Sequence, residues 1–300
     1  MTGEFELIAK LRQQLSEFPA LKVGVGDDAA VIARADGSSW LIATDMLMDG
    51  IHFELAKTDP RLIGRKALAV NLSDIAAMGA RPSTAVISVA LPKGSNVADP
   101  LHEGLFELAA EFETVIAGGD TNAWDGPLVI NVAVTGELAA GVEPLQRSGA
   151  GIGDQIFVTG PLGGSLAGHH LTFIPRIREA LVIRSVVEPT AMMDISDGLA
   201  ADLHHILRES NVGAVLYSDG IPIRESIRSE PNALDRAMGD GEDFELLLTV
   251  AASDAKDLVS NLPEGVDLFH IGEITASGCE LIYPTGTRRE ISPTGWEHQF

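Results

Sequence analysis

The chain has 300 residues, of which 43 are acidic and 21 are basic, so its formal net charge at pH 7 is −22. A surface with this much negative charge repels phosphate backbones and anionic lipids, so we expect neither nucleic acid nor a membrane as a partner. The single cysteine, Cys279, excludes an internal disulfide and a thiolate metal site. Neither an apolar signal core nor an apolar run of about 18 residues occurs, which predicts a cytoplasmic protein.

The first part of the chain predicts helices and strands in alternation. Apolar residues at helical spacing predict a helix over 4–18, and residues 40–44 predict a strand that ends at Asp45. Asp59 and Pro60 predict the start of a long helix that ends at Gly79, because Asp and Pro favour helix N-termini and Gly favours C-termini. Further along, the sequence predicts strand 84–91, a helix from Asp99-Pro100 to about Glu113, and strands 114–117 and 128–134 on either side of a loop at 118–121.

The character of the sequence changes after Gly136, where residues 147–154 form a polar, glycine-rich connector. We therefore predict two domains, 1–137 and 138–300. The second is predicted to contain a helix over 197–210 and strands over 155–159, 191–194, 214–218, 244–250, 267–275 and 279–283. Several neighbouring strands are joined by connections too short for crossover helices, so the predicted fold class is α+β.

The aspartates concentrate at predicted strand ends and tight turns. Asp45 and Asp194 follow apolar stretches, and Asp74 lies between apolar residues of the long helix. Such surroundings bury a carboxylate, which is costly unless a cation is near. Magnesium prefers carboxylate oxygens beside substrate phosphates, so a fold that gathers these loops would form a multi-magnesium site. Any one of these aspartates is equally explained as a turn former or helix cap. The set is Asp27, Asp28, Asp45, Asp74, Asp120, Asp194 and Asp197.

The common nucleotide-binding motifs are absent. No Gly-Lys dipeptide occurs, which excludes a Walker A loop, and neither His-Arg-Asp nor Asp-Phe-Gly occurs, which excludes a protein-kinase core. Residues 160–168 form a glycine-rich turn before a predicted helix; the turn could hold a phosphate, although such turns are common. His52 lies in a turn, where a surface role is the alternative to a role in a site.

Seven short motifs occur in order along the chain, and as a set they are specific. Together they resemble the thiamine-monophosphate kinases, a family of the aminoimidazole-ribotide synthetase superfamily, from about residue 4 to residue 300. One departure is visible, because residues 160–194 form a shorter stretch than this family leads us to expect. The motifs are Gly26-Asp-Asp, Thr44-Asp, Gly50-Ile-His-Phe, the helix 67–79, Gly118-Gly-Asp-Thr, Asp194-Ile-Ser-Asp-Gly-Leu and Gly241-Glu-Asp-Phe-Glu-Leu.

The resemblance implies a two-domain α+β fold whose N-terminal domains pair into a homodimer through a β-barrel-like sheet. It implies that ATP and thiamine monophosphate are the substrates, that several Mg²⁺ ions assist, and that the site lies in the cleft facing the C-terminal domain. The implied magnesium ligands are Asp28, Thr44, Asp45, Asp74, Asp120, Asp194 and Asp197. The implied ATP contacts are Gly119, Asp120, Arg147 and Ser196, and the implied thiamine-phosphate contacts are His52, Glu242 and Trp296.

The implied acceptor is a phosphate monoester with a second pKa of about 6, so at pH 7 it is already largely an anionic nucleophile. It needs no general base, unlike a hydroxyl acceptor. We therefore assign the aspartates as metal ligands for a direct in-line transfer and assign no catalytic base. Trp296 has an alternative role, because an aromatic side chain near the end of a chain often pins the terminal segment to the domain.

Other members of the superfamily match the sequence less well. A selenophosphate synthetase is expected to carry a reactive cysteine or selenocysteine and a lysine in a glycine-rich N-terminal arm, and a carbamoyl dehydratase is expected to have a C-terminal cysteine where this chain has Phe300. Aminoimidazole-ribotide synthetase lacks the surroundings of His52 and Trp296. A catalytically inactive regulator that binds nucleotide or metal is the alternative from another class.

Overall fold

The computed structural model describes Ile8, residues 10–12 and residues 18–296. The helix predicted over 4–18 therefore lies mostly outside the described residues, although Ile8 and residues 10–12 are helical. The described chain contains two sheets, one built from each half, and helices pack on both. The predicted α+β class with two domains is confirmed.

The first half forms a six-stranded sheet in the order β1-β2-β3-β6-β4-β5. Its neighbouring strands are antiparallel except for β4 and β5, which are parallel and joined by the crossover helix α2. The strands are β1 (Leu21–Val23), β2 (Ala30–Ala33), β3 (Ser39–Met48), β4 (Arg81–Pro92), β5 (Val115–Trp124) and β6 (Val129–Leu138), and the helices are α1 (Pro60–Ala77) and α2 (Ala98–Glu111).

The two faces of this sheet differ. Leu41 and Leu47 of β3 are buried on the face that packs against α1, whereas Trp40, Ile42 and Met46 are 44%, 40% and 54% exposed on the opposite face. This alternation is the period of two that a strand imposes. We call the exposed side the outer face. Helix α1 begins as predicted, because the Asp59 side chain accepts the N–H of Arg61 at 2.9 Å.

The second half forms a seven-stranded sheet in the order β13-β12-β9-β11-β7-β10-β8, antiparallel except for β9 and β12. Its last strand, β8, lies against α1 of the first half and joins the halves. The strands are β7 (Gln155–Val158), β8 (Ala191–Asp194), β9 (Gly213–Tyr217), β10 (Leu246–Val250), β11 (Phe269–Thr275), β12 (Cys279–Ile282) and β13 (Arg288–Glu290). The α-helices are α3 (His169–Thr172), α4 (Ile177–Val186), α5 (Leu199–Ser210), α6 (Ala233–Gly239) and α7 (Ala252–Asn261).

Three local predictions were wrong. Asp45 lies inside β3 rather than at its end, and residues 118–121 belong to β5 rather than to a loop. Glycine there indicates close backbone contact and not a turn, since a Cβ on Gly119 would lie 1.8 Å from the Ile87 carbonyl oxygen of β4. Helix α2 begins at Ala98, so Asp99 lies in its first turn and is not its cap.

The segment between the sheets, residues 139–154, contains no helix or strand. The domain boundary at 137 and 138 stays a prediction. The short stretch noted at 160–194 contains a 3₁₀ turn at Ser165–Ala167 followed by α3 and α4. Among the residues described, no helix combines the length and apolar character needed to span a membrane.

Candidate active site

A cavity of about 910 Å³ opens between the two halves. Its walls come from the turn before β2, from β3 and α1 on one side, and from residues 194–197 and 240–244 on the other. Of the residues predicted from the sequence, the cavity is lined by Asp28, Thr44, Asp45, His52, Asp74, Arg147, Asp194, Ser196, Asp197, Glu242 and Trp296. The fold therefore brings together most of the predicted site from widely separated positions.

Four carboxylates meet at the base of this cavity. Carboxylate oxygens of Asp28, Asp74 and Asp194 lie within 4.8 Å of one another, and Asp45 is near enough for its charge to raise the pKa of Asp74. We call these four residues the aspartate cluster. They come from four elements: the turn before β2, strand β3, helix α1 and the end of β8. Helix α1 lies between the two sheets, so it carries Asp74 to the point where both halves meet.

The aspartate cluster is strained electrostatically without a cation. Burial raises the pKa of Asp194 to about 7, and the charge of Asp28 adds to this effect. Burial likewise raises the pKa of Asp45 to about 6, and it raises the pKa of Asp74 well above its usual value, with Asp45 the next cause. Like charges at short distance in a dry site disfavour ionisation, so this arrangement favours either shared protons or a bound cation.

Arg147 compensates part of this charge. Its guanidinium forms an ion pair with Asp28, whose side chain is only 1% exposed, and its Nε lies 3.1 Å from Asp28 Oδ1. The backbone N–H of Arg147 donates to Asp27 Oδ1 at 3.2 Å, which fixes the backbone from which the Arg147 side chain extends. Asp28 Oδ2 is buried and has no hydrogen-bond partner in the described part of the chain. A buried carboxylate oxygen with a free lone pair beside two further carboxylates matches the hard oxygen donors that a divalent cation prefers.

A second group of possible ligands lies at the start of α5. Ligand atoms of Asp197, Asp202 and His205 are within 4.8 Å of one another. Asp202 Oδ2 accepts the N–H groups of Asp197 and Gly198 at 3.1 Å, so this carboxylate already holds the turn before the helix. His205 Nδ1 lies 2.7 Å from Arg208 Nη2. Both contacts compete with metal coordination by Asp202 and His205.

The residues predicted to contact thiamine phosphate form another wall. His52 Nδ1 accepts the backbone N–H of Met48 at 3.0 Å, and the Glu242 carboxylate pairs with Lys66 at 2.7 Å. Trp296 is 58% exposed, and its backbone N–H donates to the Asp197 carbonyl at 3.1 Å. The chain thus returns to the cavity at Trp296.

Ser196 and Thr44 complete the predicted residues that reach the cavity. The Ser196 carbonyl accepts the N–H of Glu242 at 2.6 Å, which ties the loop after β8 to the segment before β10. Thr44 Oγ1 donates to the Val132 carbonyl at 3.0 Å, so its hydroxyl supports the β3–β6 ladder.

Gly119 and Asp120 do not join the cavity of their own chain. Both are exposed on β5, and Asp120 Oδ2 accepts the Asn122 side-chain amide at 2.9 Å. Asp120 pairs across the ladder with the exposed Ser88, so both lie on the outer face. Two strands separate β5 from β3, a distance of roughly 14 Å at about 4.8 Å per strand. The sheet therefore stands between Asp120 and the aspartate cluster.

Two residues of the site were missed from the sequence. Asn71 Oδ1 accepts the backbone N–H of Asp45 at 3.1 Å and so fixes the point at which β3 meets α1. Lys66 is fully buried beside the cavity. A signal for it was present, since Lys66 directly precedes the apolar run 67–70 of the long helix, where charge is costly without a partner.

Two family models and a curated relative match this chain over both of its halves. The family models for AIR synthase related protein match the chain, the N-terminal domain over residues 26–138 and the C-terminal domain over residues 167–283. The thiamine-monophosphate kinase of Rhodopirellula baltica is 37% identical over 98% of this chain and 97% of its own length.

Solved structures agree with this comparison. The chain superposes on the structure described as AaThiL complexed with AMPPCP and TMP with a TM-score of 0.84 and 28% identity, covering 99% of this chain and 97% of that one. The thiamine-monophosphate kinase of Stenotrophomonas maltophilia K279a gives a TM-score of 0.76 at 34% identity, over 96% of this chain and 98% of the other. The similarity thus extends over both halves and the cavity between them.

Proposed function

The chain belongs to the thiamine-monophosphate kinase family, and from this we propose that it transfers the γ-phosphoryl group of ATP to thiamine monophosphate, giving thiamine diphosphate. The observation that carries the proposal is the aspartate cluster beside Arg147, inside a cavity between the halves. The relative bound to AMPPCP, an ATP analogue, and to TMP supports the choice of both substrates.

Two groups of residues in the cavity differ in chemistry. Arg147 and Ser196 lie near the aspartate cluster, where the nucleotide phosphates would bind. His52, Glu242 and Trp296 supply an imidazole, a carboxylate and an indole, which suit a flat, positively charged thiazolium ring. We propose that the first group contacts ATP and the second contacts thiamine monophosphate.

The residues present match magnesium. Asp28 Oδ2 is a buried acceptor with no partner among the described residues, and the pKa values of Asp74 and Asp194 are raised by burial and by neighbouring carboxylates. We propose that Asp28, Asp45, Asp74 and Asp194 hold Mg²⁺, with Thr44 and Asp197 at the edge of the site. Bound magnesium would neutralise phosphate charge and so lower the repulsion between the two substrates.

The chain's own groups position and shield the reacting phosphates. The acceptor phosphate is largely ionised at pH 7, so no side chain is required to remove a proton. Arg147 supplies a fixed cation whose orientation is set by Asp27 and Asp28. This arrangement favours direct in-line attack, in which the bond from the γ-phosphorus to the bridging oxygen breaks as the acceptor oxygen bonds to phosphorus.

We also propose that the protein is a homodimer whose outer faces meet. Trp40, Ile42, Met46 and Val86 are 40–54% exposed on this face. Strand β5 ends the sheet with an exposed edge, and natural proteins usually cover such edges. A second copy on this face would place Gly119 and Asp120 against another chain. Asp120 would then serve the partner's site rather than its own.

The test is an ATP-dependent assay with thiamine monophosphate in which thiamine diphosphate is detected by fluorescence after oxidation to thiochrome. The expected result is product that depends on ATP, on thiamine monophosphate and on magnesium. Product formed equally well from unphosphorylated thiamine would contradict the proposed acceptor. The absence of product from pure, folded protein with all three components would reject the function.

A further inference from the structure

The segment of residues 241–245, Gly-Glu-Asp-Phe-Glu, runs along the cavity between α6 and β10; we call it the acidic strap. Its backbone is unusual, because Gly241, Glu242 and Phe244 have φ angles of 70°, 54° and 52°. Residues other than glycine rarely adopt this left-handed region, and they persist there only when their surroundings hold them. The acidic strap must therefore be held by strong contacts.

Each acid of the strap has its own basic partner. The Asp243 carboxylate pairs with Arg224 at 2.9 Å and the Glu245 carboxylate pairs with Arg176 at 2.6 Å; both carboxylates are 1% exposed. These arginines belong to the same half of the chain as the strap. The third acid, Glu242, pairs instead with Lys66 of α1, which comes from the other half.

Lys66 uses all three of its N–H donors in this link. Its Nζ donates to the Glu242 oxygens at 2.7 and 2.8 Å and to the His52 carbonyl at 2.7 Å. Its side chain is 1% exposed, so it has no surface for a substrate to contact. Burial lowers the pKa of Lys66 although Glu242 opposes this. An ammonium group this buried is costly unless every donor is paired, so the link depends on all three contacts.

We infer that Lys66 is a positioning residue that joins the turn containing His52 to the acidic strap and so sets the affinity for the acceptor substrate. This inference rests on the proposed function. His52 and Glu242 come from opposite halves of the chain, and Lys66 contacts both. Arg147 and the aspartate cluster have their own contacts, so loss of Lys66 should leave these contacts largely intact.

The test compares Lys66→Met, Glu242→Gln and the double variant. Lys66→Met alone leaves the Glu242 carboxylate, which is 22% exposed, beside an apolar group and without its partner, so the Tm should fall and the KM for thiamine monophosphate should rise at least about tenfold. The double variant has no unpaired charge, so its Tm should recover. Its KM for thiamine monophosphate should remain about tenfold above that of Glu242→Gln, because the His52 turn is still released, while the KM for ATP stays within about twofold of wild type.

A matched control lies on the same helix. Arg61 pairs with Glu107 on the surface, with side chains 51% and 57% exposed, away from the cavity. Arg61→Met with Glu107→Gln should leave both KM values unchanged. Equal KM values for the double variant and Glu242→Gln, or an equal rise in the KM for ATP, would overturn the inference.

Hydrogen exchange gives a measurement that does not depend on activity. In the double variant, amides of residues 49–53 and 241–245 should exchange at least about tenfold faster than in wild type, with no change in the second sheet. Unchanged exchange in either segment would overturn the inference whatever the kinetics. If the exchange result is as expected but the wild type forms no thiamine diphosphate, the link is upheld and the proposed function alone fails.

Discussion

The aspartate cluster and Asp120 resemble each other in sequence but lie on opposite faces of one sheet. The cluster is gathered around α1, where burial raises the pKa of Asp45 to about 6 and that of Asp194 to about 7. Asp120 is exposed on the edge strand β5, beside Asn122. An aspartate in a strand is thus compatible with two different environments. Ladder register and burial, rather than residue type, determine which carboxylates share a site within one chain.

The largest expected effect comes from neutralising the aspartate cluster. Asp45→Asn and Asp74→Asn should each lower kcat at least about 100-fold, the scale expected when an electrostatic stabiliser of the transition state is lost. The Tm without substrate should stay level or rise, because a repelling charge is removed from a buried group. Steady-state kinetics and thermal melts measure both quantities. A large fall in Tm with nearly normal kcat would show that these acids are structural.

Asp120 allows a test of which chain it serves. Asp120→Asn alone should also lower kcat by about 100-fold if this residue contacts the reacting phosphates. Refolding Asp120→Asn together with Asp45→Asn should restore about a quarter of wild-type activity, because half of the dimers are mixed and each mixed dimer then has one intact site.

The control for this experiment is each variant refolded alone, which should stay inactive. No recovery on mixing would mean that Asp120 acts on its own chain, and an active Asp120→Asn protein by itself would mean that Asp120 serves neither site. Val86→Glu offers an independent check, since a charge on the outer face should separate the dimer in light-scattering measurements. A monomeric wild type in the same measurement would contradict the proposed pairing of outer faces.

The sequence predicted the fold class and the helix α1 with its Asp59 cap, and most of the site residues it implied line the cavity. It failed at β5, because a Gly-Gly-Asp-Thr segment has the composition of a turn while its hydrogen bonds are supplied by β4. It could not separate Asp120 from the cluster, since the outer and inner faces of a sheet are defined only once strand order is known. Lys66 was missed because the partner that makes its burial tolerable, Glu242, lies 176 residues away.

A smaller effect concerns the number of magnesium ions that bind at the aspartate cluster. With ATP fixed, the rate should continue to rise after magnesium exceeds one equivalent of ATP, because the aspartate cluster offers more charge than one metal–nucleotide complex neutralises. Magnesium alone should raise the Tm of the wild type, and less so that of Asp74→Asn. A rate that saturates at one equivalent would contradict a site with several metal ions.

The smallest expected effect is that of changing Trp296. Trp296 is 58% exposed, and its backbone N–H donates to the Asp197 carbonyl at 3.1 Å. A cation over an indole gains about 0.5–2 kcal/mol, so Trp296→Ala should raise the KM for thiamine monophosphate by several-fold to about 30-fold. The KM for ATP should hardly change, and Trp296→Phe should recover part of the loss. If Trp296→Ala instead lowers only the Tm, the indole pins the terminal segment, and Trp296 does not belong to the substrate site.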